Sequence, residues 1–378
     1  MSDYPKDWEE VELTNIANTF IGLVTTMTSN YTNDGAKLIR NQDIQNNKFI
    51  FKENIYLNRK FAELNKSRMH KLGDVVTVHT GDIGTSAVIE ESLVGSLGFA
   101  TIVTRLDKKI ADPYFISCYF NSKYYKDYVM SIMTGDGRNN LNMKDFNKTR
   151  LMLPPLPEQK AIANTLMTFD KHIENLEKLI EKKKMIRDGA VEDLMTGKTR
   201  LDGFDGEWEE KKIGDILKIM HGKNQHSVES STGEYPILGT GGIIGKSVDY
   251  LCDWECVCIG RKGTIDKPLY VDYPFWSIDT LYYSKPLNEN NVKFQYYLFT
   301  TIKWLDYAES SGRPSLSKDE IESIDITIPT DIKEQQAIAS ILTSMDEEIQ
   351  DLEKEKEKIE KIKAGAMDDL LTGKVRLI

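Results

Sequence analysis

Apolar residues recur at alternating steps of four and three along two stretches of this chain. In the first they are Ile162, Leu166, Phe169, Ile173, Leu176 and Ile180, and in the second Ile338, Leu342, Met345, Ile349 and Leu352, with Ile359 further on. That spacing keeps one face of an α-helix apolar turn after turn and predicts a coiled-coil seam in each. The stretches are copies of each other. EQKAIANTLMTFDKHIENLEKLIEKKKMIRDGAVEDLMTGKTRL (158–201) aligns without a gap to EQQAIASILTSMDEEIQDLEKEKEKIEKIKAGAMDDLLTGKVRL (334–377), and roughly half the positions are identical, so the chain is a tandem duplication. The seams diverge in a complementary way, since Ile180 corresponds to Lys356 and Lys183 to Ile359, and they close with Ala190 and Leu194 or Ala366 and Leu370.

Proline precedes both stretches, at Leu153-Pro-Pro-Leu-Pro157 and Ile328-Pro329, which predicts helix starts near Glu158 and Lys333. Thr196-Gly197-Lys198 and Thr372-Gly373-Lys374 stop them, with glycine supplying the left-handed C-cap. Each helix is then about 38 residues and roughly 57 Å long. A seam so regular needs a partner to be stable. The nearest is the other copy, packed antiparallel; a different subunit or a second chain is the alternative.

The segments before each helix have a different rhythm. Lys37–Arg40, Asp74–His79, Ser86–Ile89 and Thr101–Thr104 are short apolar or alternating runs between turn residues, which predict strands, and Tyr114–Met133 has helical spacing. In the second half Tyr235–Leu238 and Cys256–Ile259 are the strands and Phe294–Ala308 the helix, and Trp8-Glu9-Glu10 recurs as Trp208-Glu209-Glu210. The fold class is α+β: two similar domains of mostly antiparallel sheet plus helices, separated by two long helices forming an antiparallel coiled coil. The divisions are 1–153, 154–200, 201–329 and 330–378.

A pair of polar loops also recurs. Gly135–Asn142 and Ser310–Ser317 each place an Arg directly after a Gly and a Leu three residues beyond the Arg. One arginine among amides and hydroxyls is the donor set that meets phosphates and base edges. A solvated connection would account for one such loop less awkwardly than for two.

Charge complicates a polyanion partner, because the net charge is −10. Residues 1–153 carry 19 basic and 18 acidic side chains, whereas 201–333 carry 14 and 22, so the acidity lies in the second repeat. DNA binding then requires local basic patches or positive charge from a partner. No N-terminal apolar leader and no apolar run of spanning length is present, so a cytoplasmic location and no membrane are expected.

Catalytic and metal motifs fail on inspection. Cys252, Cys256 and Cys258 cluster, but in a buried-strand pattern without a second ligand pair, so packing rather than metal is expected. Gly241–Ser247 resembles a phosphate-binding loop, yet its first glycine position holds Thr240. Leu153-Pro-Pro-Leu156 lacks the polar and aromatic ends of an adenine-methyltransferase motif, and the five histidines have no HExxH or triad-like spacing. The chain reads as a binder, not an enzyme.

Two variable segments, each followed by a proline-rich entry, an E-Q-x-A-I-A helix start and a helix ending in L-[ML]-T-G-K-x-R-L, resemble the specificity subunit (HsdS) family of type I restriction-modification systems over the whole length. Tyr235–Gly245 and Gly260–Thr264 are also similar to that family's target-recognition domains. The resemblance implies a DNA-recognition subunit. Each domain would read one half of a bipartite, asymmetric site in double-stranded DNA, and the helices would set the spacer and dock two methyltransferase subunits, with restriction subunits joining. S-adenosylmethionine, ATP and Mg would belong to those partners, with no cofactor bound by this chain. Candidate DNA-contacting residues are Arg40, Asn41, Gln42, Thr80, Arg138, Asn139, Asn140 and Lys144 in the first domain. In the second they are Lys223, Thr240, Arg261, Lys262, Arg313 and Ser315. The rival reading is a coiled-coil scaffold that links two protein-binding modules and never touches DNA.

Overall fold

The computed structural model describes residues 4–25, 27–132, 140–287, 290–309, 312 and 314–377. It forms two compact units, Met1–Glu177 with Glu355–Ile378, and Lys178–Lys354. Each long helix thus contributes one part to each unit.

In the first unit a four-stranded antiparallel sheet runs in the order Ala17–Ile21, Thr101–Leu106, Val75–Val78, Ser86–Val88. A second sheet pairs Leu97–Phe99 in parallel with Ala36–Arg40, followed by Tyr56–Leu57 and Tyr31–Thr32. The second unit repeats this plan. Leu217–His221, Leu281–Pro286, Cys256–Gly260 and Leu269–Val271 form the antiparallel sheet, and Trp276–Ser277 lies parallel to Tyr235–Gly239, whose other edge carries Gly242–Ser247. Both sheet systems are therefore mostly antiparallel with one parallel pair. In each unit an N-terminal strand, Glu9–Glu12 or Trp208–Lys212, pairs with the strand that enters the long helix, Arg150–Leu153 or Asp325–Pro329.

Strand periodicity explains the cores. Cys256–Gly260 is buried throughout because its two faces serve different clusters. Val257 and Ile259 pack with Phe294 and Leu298 of the helix Val292–Thr301, while Cys256 and Cys258 pack with Leu238 and Phe275 of the second sheet. The cysteine cluster is thus a piece of core. Bonding with Cys252 pulls the Cys256 thiol down, but bonding with Cys258 and burial outweigh it and hold its pKa above the ordinary value, and the described residues contain no group suited to a metal ion.

The predicted helices need three corrections. The long helices are Leu156–Met195 and Ile332–Leu371, 40 residues each, and begin earlier than Glu158 and Lys333. Pro157 sits inside the first turn, where a missing N–H costs nothing, and the Pro155 carbonyl accepts from the N–H groups of Glu158 and Gln159. Tyr114–Met133 is two helices, Pro113–Asn121 and Lys123–Ile132, because Ser122 is extended and its hydroxyl bonds back to the Tyr119 carbonyl. Phe294–Ala308 is likewise a helix ending at Thr301 followed by a 3₁₀ turn, Trp304–Tyr307.

The helices pair antiparallel in each unit. In the first, Glu177 meets Lys356 at 3.1 Å and Asp170 meets Lys363, while Glu158 meets Arg376. In the second, Lys183 meets Glu348 at 2.6 Å, Arg187 meets Asp346 at 2.7 Å and Arg200 meets Glu334. Ile162, Leu166, Leu176, Ile180, Ile338, Leu342 and Ile349 of the predicted seam are buried, and Phe169, Ile173, Met345, Leu352 and Ile359 are half-buried. Lys183 and Lys356, the seam's two charged exchanges, reach across to Glu348 and Glu177, so ion pairs stand where apolar contacts would otherwise lie.

Candidate nucleic-acid interface

The matched loops have matched tertiary partners. In the first unit Thr80 forms an isolated β-bridge with Asn140, and the Leu141 N–H donates to the His79 carbonyl. In the second, Lys262 bridges Ser315, and the Leu316 N–H donates to the Arg261 carbonyl. The two leucines are buried and anchor each loop, which turns Asn140 and Ser315 toward the glycine turn after a core strand. Gly81 and Gly263, with φ of +103° and +93°, make those turns in a backbone region closed to most side chains.

Side-chain bonds extend the first cluster. The Thr80 hydroxyl donates to Asn140 Oδ1 at 2.7 Å and lies 2.9 Å from His79 Nδ1. Asn41 Oδ1 accepts from the His79 N–H at 3.2 Å, which joins the end of Ala36–Arg40 to the same surface. Burial holds the His79 pKa below its ordinary value, so the ring is neutral at pH 7. Arg40 is already engaged. Its Nε and Nη2 each lie 3.1 Å from the buried Asp43 carboxylate, and Nη1 is 3.4 Å from Glu53. With its amide turned toward that guanidinium, the exposed Gln42 accepts from Nη2 and Nη1 at 3.0 and 3.2 Å. Lys144 projects into solvent from the short helix Met143–Phe146, whose first turn is capped by Asn142. Arg138 and Asn139 lie outside the described residues.

In the second unit the candidates collect around the turn at 277–280. The Lys223 N–H donates to the Ser277 carbonyl at 2.8 Å, and Trp276 Nε1 donates to the Lys223 carbonyl at 3.0 Å. Arg261 donates through its N–H to the Thr280 carbonyl and through Nη1 to the Asp279 carbonyl. Thr240 follows the strand whose Leu238 carbonyl accepts from Ile278. Ser315 Oγ donates to the exposed Glu309 at 3.1 Å. Arg313 lies outside the described residues. The two units therefore share one loop bridge beside a glycine turn, and carry different side chains on it, Thr80 with Asn140 in one and Lys262 with Ser315 in the other.

His79, which is not among the candidate contacts chosen from the sequence, is the hinge of the first cluster. A second feature also went unread. Glu158, buried at the start of the first long helix, accepts from Trp8 Nε1 at 3.2 Å and from Arg376 Nε and Nη2 at 2.6 and 2.8 Å. Its counterpart Glu334 accepts from Trp208 Nε1 at 3.4 Å and from Arg200 at 2.7 and 2.9 Å. The repeated tryptophan, helix start and tail arginine are thus three parts of one lock, built twice. Both indole rings lie against the C-cap glycines, Gly373 and Gly197. The motifs themselves are legible in both halves, but the tryptophan stands 150 residues before the helix-start glutamate in one half and 126 in the other, so spacing does not join them.

A duplicated α+β unit, with paired helices and one loop bridge carrying unlike side chains in its two copies, defines a two-fold repeat protein with two related but different surfaces. The model of the type I restriction modification DNA specificity domain matches residues 5–183 and 205–363. The chain belongs to that family and is the DNA-recognition subunit of such a system. It is 26% identical over 411 residues to a protein of Methanocaldococcus jannaschii provisionally named the type I restriction enzyme MjaX specificity subunit, covering 100% of this chain and 96% of that one. To the EcoKI specificity subunit of Escherichia coli K12 it is 25% identical over 234 residues, covering 58% and 50%. The crystal structure of the type I system S subunit from M. genitalium has the same fold, with a TM-score of 0.67 at 18% identity over 98% of this chain and 97% of that one. Among the described residues no helix is long and apolar enough to cross a membrane.

Proposed function

We propose that each unit reads one half of a bipartite, asymmetric DNA site and that the paired helices hold the halves a constant number of base pairs apart. The observation that carries this is the recurrence of one loop bridge on unlike side chains. Thr80 and Asn140 in one unit, and Lys262 and Ser315 in the other, occupy the same backbone positions with different donor sets. A common frame with changed chemistry is what two different half-sites require, since base contacts specify and phosphate contacts position. Arg40, Asn41, Gln42, Thr80, Asn140 and Lys144, with Arg138 and Asn139, serve the first half-site. Lys223, Thr240, Arg261, Lys262 and Ser315, with Arg313, serve the second.

The functional divisions follow the repeat: recognition by 1–153 and 201–329, spacing and docking by 154–200 and 330–378. Two methyltransferase subunits bind the repeated helices and supply adenine methylation from S-adenosylmethionine. Restriction subunits add chemistry driven by ATP and Mg. This chain performs no catalytic step itself and works in the cytoplasm. The acidic second half makes its own hold on DNA weak, so affinity rises when partners join.

Methylome sequencing of cells with and without the chain tests this. Two unlike half-motifs at fixed spacing should be methylated in its presence and unmethylated in its absence. Methylation that persists unchanged without the chain would sink the proposal.

A further inference from the structure

We infer that Asp170 and Asp346 are positioning residues that key each recognition domain to the helix pair of its own unit, through Asn47 in the first and Tyr297 in the second. Through that joint they set how strictly the complex discriminates the spacing of its half-sites. This rests on the reading that each unit recognises one half of a bipartite site, and it names what orients the reader.

The two carboxylates are counterparts in the repeat, 176 positions apart, and each takes one cation and one neutral donor. Asp170 Oδ1 accepts from Lys363 of the other long helix, and its Oδ2 accepts from Asn47 Nδ2 at 3.0 Å. Asp346 Oδ1 accepts from Arg187 Nη1 at 2.7 Å, and its Oδ2 accepts from the Tyr297 hydroxyl at 2.8 Å. Lys363 and Arg187 are also counterparts. The cation joins helix to helix, and the neutral donor joins helix to domain. One half-buried carboxylate so holds three elements of each unit together.

The domain side of the joint is built in two ways. The helices Pro113–Asn121 and Val292–Thr301 correspond, since the N–H of each N-cap, Asp112 or Asn291, donates to Oε1 of the repeated Gln159 or Gln335. Six residues past each cap stand Cys118 and Tyr297, both buried. Tyr297 is long enough to reach its aspartate, whereas a cysteine is not. In the first unit Asn47 reaches instead, from the tip of the hairpin that joins Ile44–Gln45 to Lys48–Phe49, with its Nδ2 3.7 Å from Cys118 Sγ. Its φ of +58° is a left-handed conformation that asparagine tolerates better than most residues. Asn47 Oδ1 accepts from Ser117 Oγ at 2.8 Å and from Asn121 Nδ2 at 2.9 Å, which holds the amide with Nδ2 toward Asp170. Unlike side chains thus deliver one neutral donor to the same helix carboxylate.

Both joints lead to the reading loops. The Asn47 hairpin continues directly from Asn41–Asp43, and the Ile50 N–H closes it on the Asp43 carbonyl. Tyr297 lies beside Phe294 and Leu298, which pack with Val257 and Ile259 just before Arg261. A domain freed from its carboxylate keeps its own core and its base contacts but can tilt on the helices, so sites with a wrong spacer are rejected less strictly.

The test uses the full chain assembled with the methyltransferase subunits of the same system. Methylation rates on its natural site are compared with rates on sites whose spacer is one base pair longer or shorter. Tyr297→Phe removes only the hydroxyl and should lower the ratio of natural to altered sites by about fivefold, the weight of one bond to a charged group, with base preference in each half-site unchanged. Asn47→Asp sets two carboxylates against each other and should lower the ratio further. Combining it with Asp170→Asn exchanges donor and acceptor and should restore most of the ratio. Rates that fall by one common factor on every duplex, leaving the ratio at its wild-type value, would overturn the inference alone, because a merely structural bond acts that way. So would a combined variant no better than Asn47→Asp. A wild-type complex that methylates all spacings equally would overturn the underlying reading with it.

Discussion

Replacing Arg376 by alanine tests whether the tail of the second long helix locks the first unit closed. Glu158 has a side chain 5% exposed, and its charge is met by Arg376 Nε and Nη2 together with Trp8 Nε1. Without the guanidinium, a buried carboxylate keeps only the indole and the helix N-terminus. Stranding one partner of a buried pair costs about 3–5 kcal/mol, and the low end applies because the Arg376 side chain is itself 24% exposed. Removing the charge as well, in Glu158→Gln with Arg376→Ala, should cost less than the two single losses combined, with a coupling of roughly 1–2 kcal/mol. Urea unfolding followed by tryptophan fluorescence reports on this directly, since Trp8 belongs to the lock. Arg200→Ala should cost at least as much in the second unit, where the Glu334 side chain is 1% exposed. A loss below about 0.5 kcal/mol for Arg376→Ala, with strictly additive double substitution, would refute the lock.

Other outcomes follow from the same contacts. His70 is buried with Nδ1 2.8 Å from Ser96 Oγ and no partner for Nε2 among the described residues, and burial, offset in part by Asp74, pushes its pKa down to about 4. The unfolded chain takes up that proton near pH 6.5, so stability is full above that pH and falls by roughly 3 kcal/mol as pH drops toward 4. His70→Gln should flatten this segment of a pH–stability profile, and an unchanged slope would show that other groups carry it. Arg138→Ala or Asn140→Ala should weaken recognition of one half-site by about 1–3 kcal/mol, and Arg313→Ala or Arg261→Ala the other. Half-site methylation assays would contradict the assignment if both halves changed together. Inserting one heptad at matched points of both helices adds about 10 Å, or roughly three base-pair rises, to the spacer while leaving the half-site sequences intact; a methylome with altered half-sites would argue against helices that act only as spacers.

Much of this protein can be read without coordinates. The period of Ile162, Leu166, Phe169, Ile173, Leu176 and Ile180, and its return 176 positions later, is a local property of the chain. Helix, seam and duplication all follow from it, because side-chain periodicity is set by backbone geometry and needs no knowledge of distant partners. The break at Ser122 was harder to see, since apolar spacing continues across it and only a side-chain bond to the Tyr119 carbonyl ends the helix.

What the tertiary structure alone decided is which distant groups meet. Arg40, a candidate contact, is largely occupied by Asp43 and Glu53, whereas His79, not a candidate, joins Asn41 to Thr80 and Asn140. Glu158 and Arg376 stand 218 positions apart, and no periodicity links them. Such contacts depend on how strands and helices are placed in three dimensions, and sequence spacing carries no measure of that distance. The sequence therefore determined the repeated architecture and the kind of protein, and the fold determined which distant side chains meet.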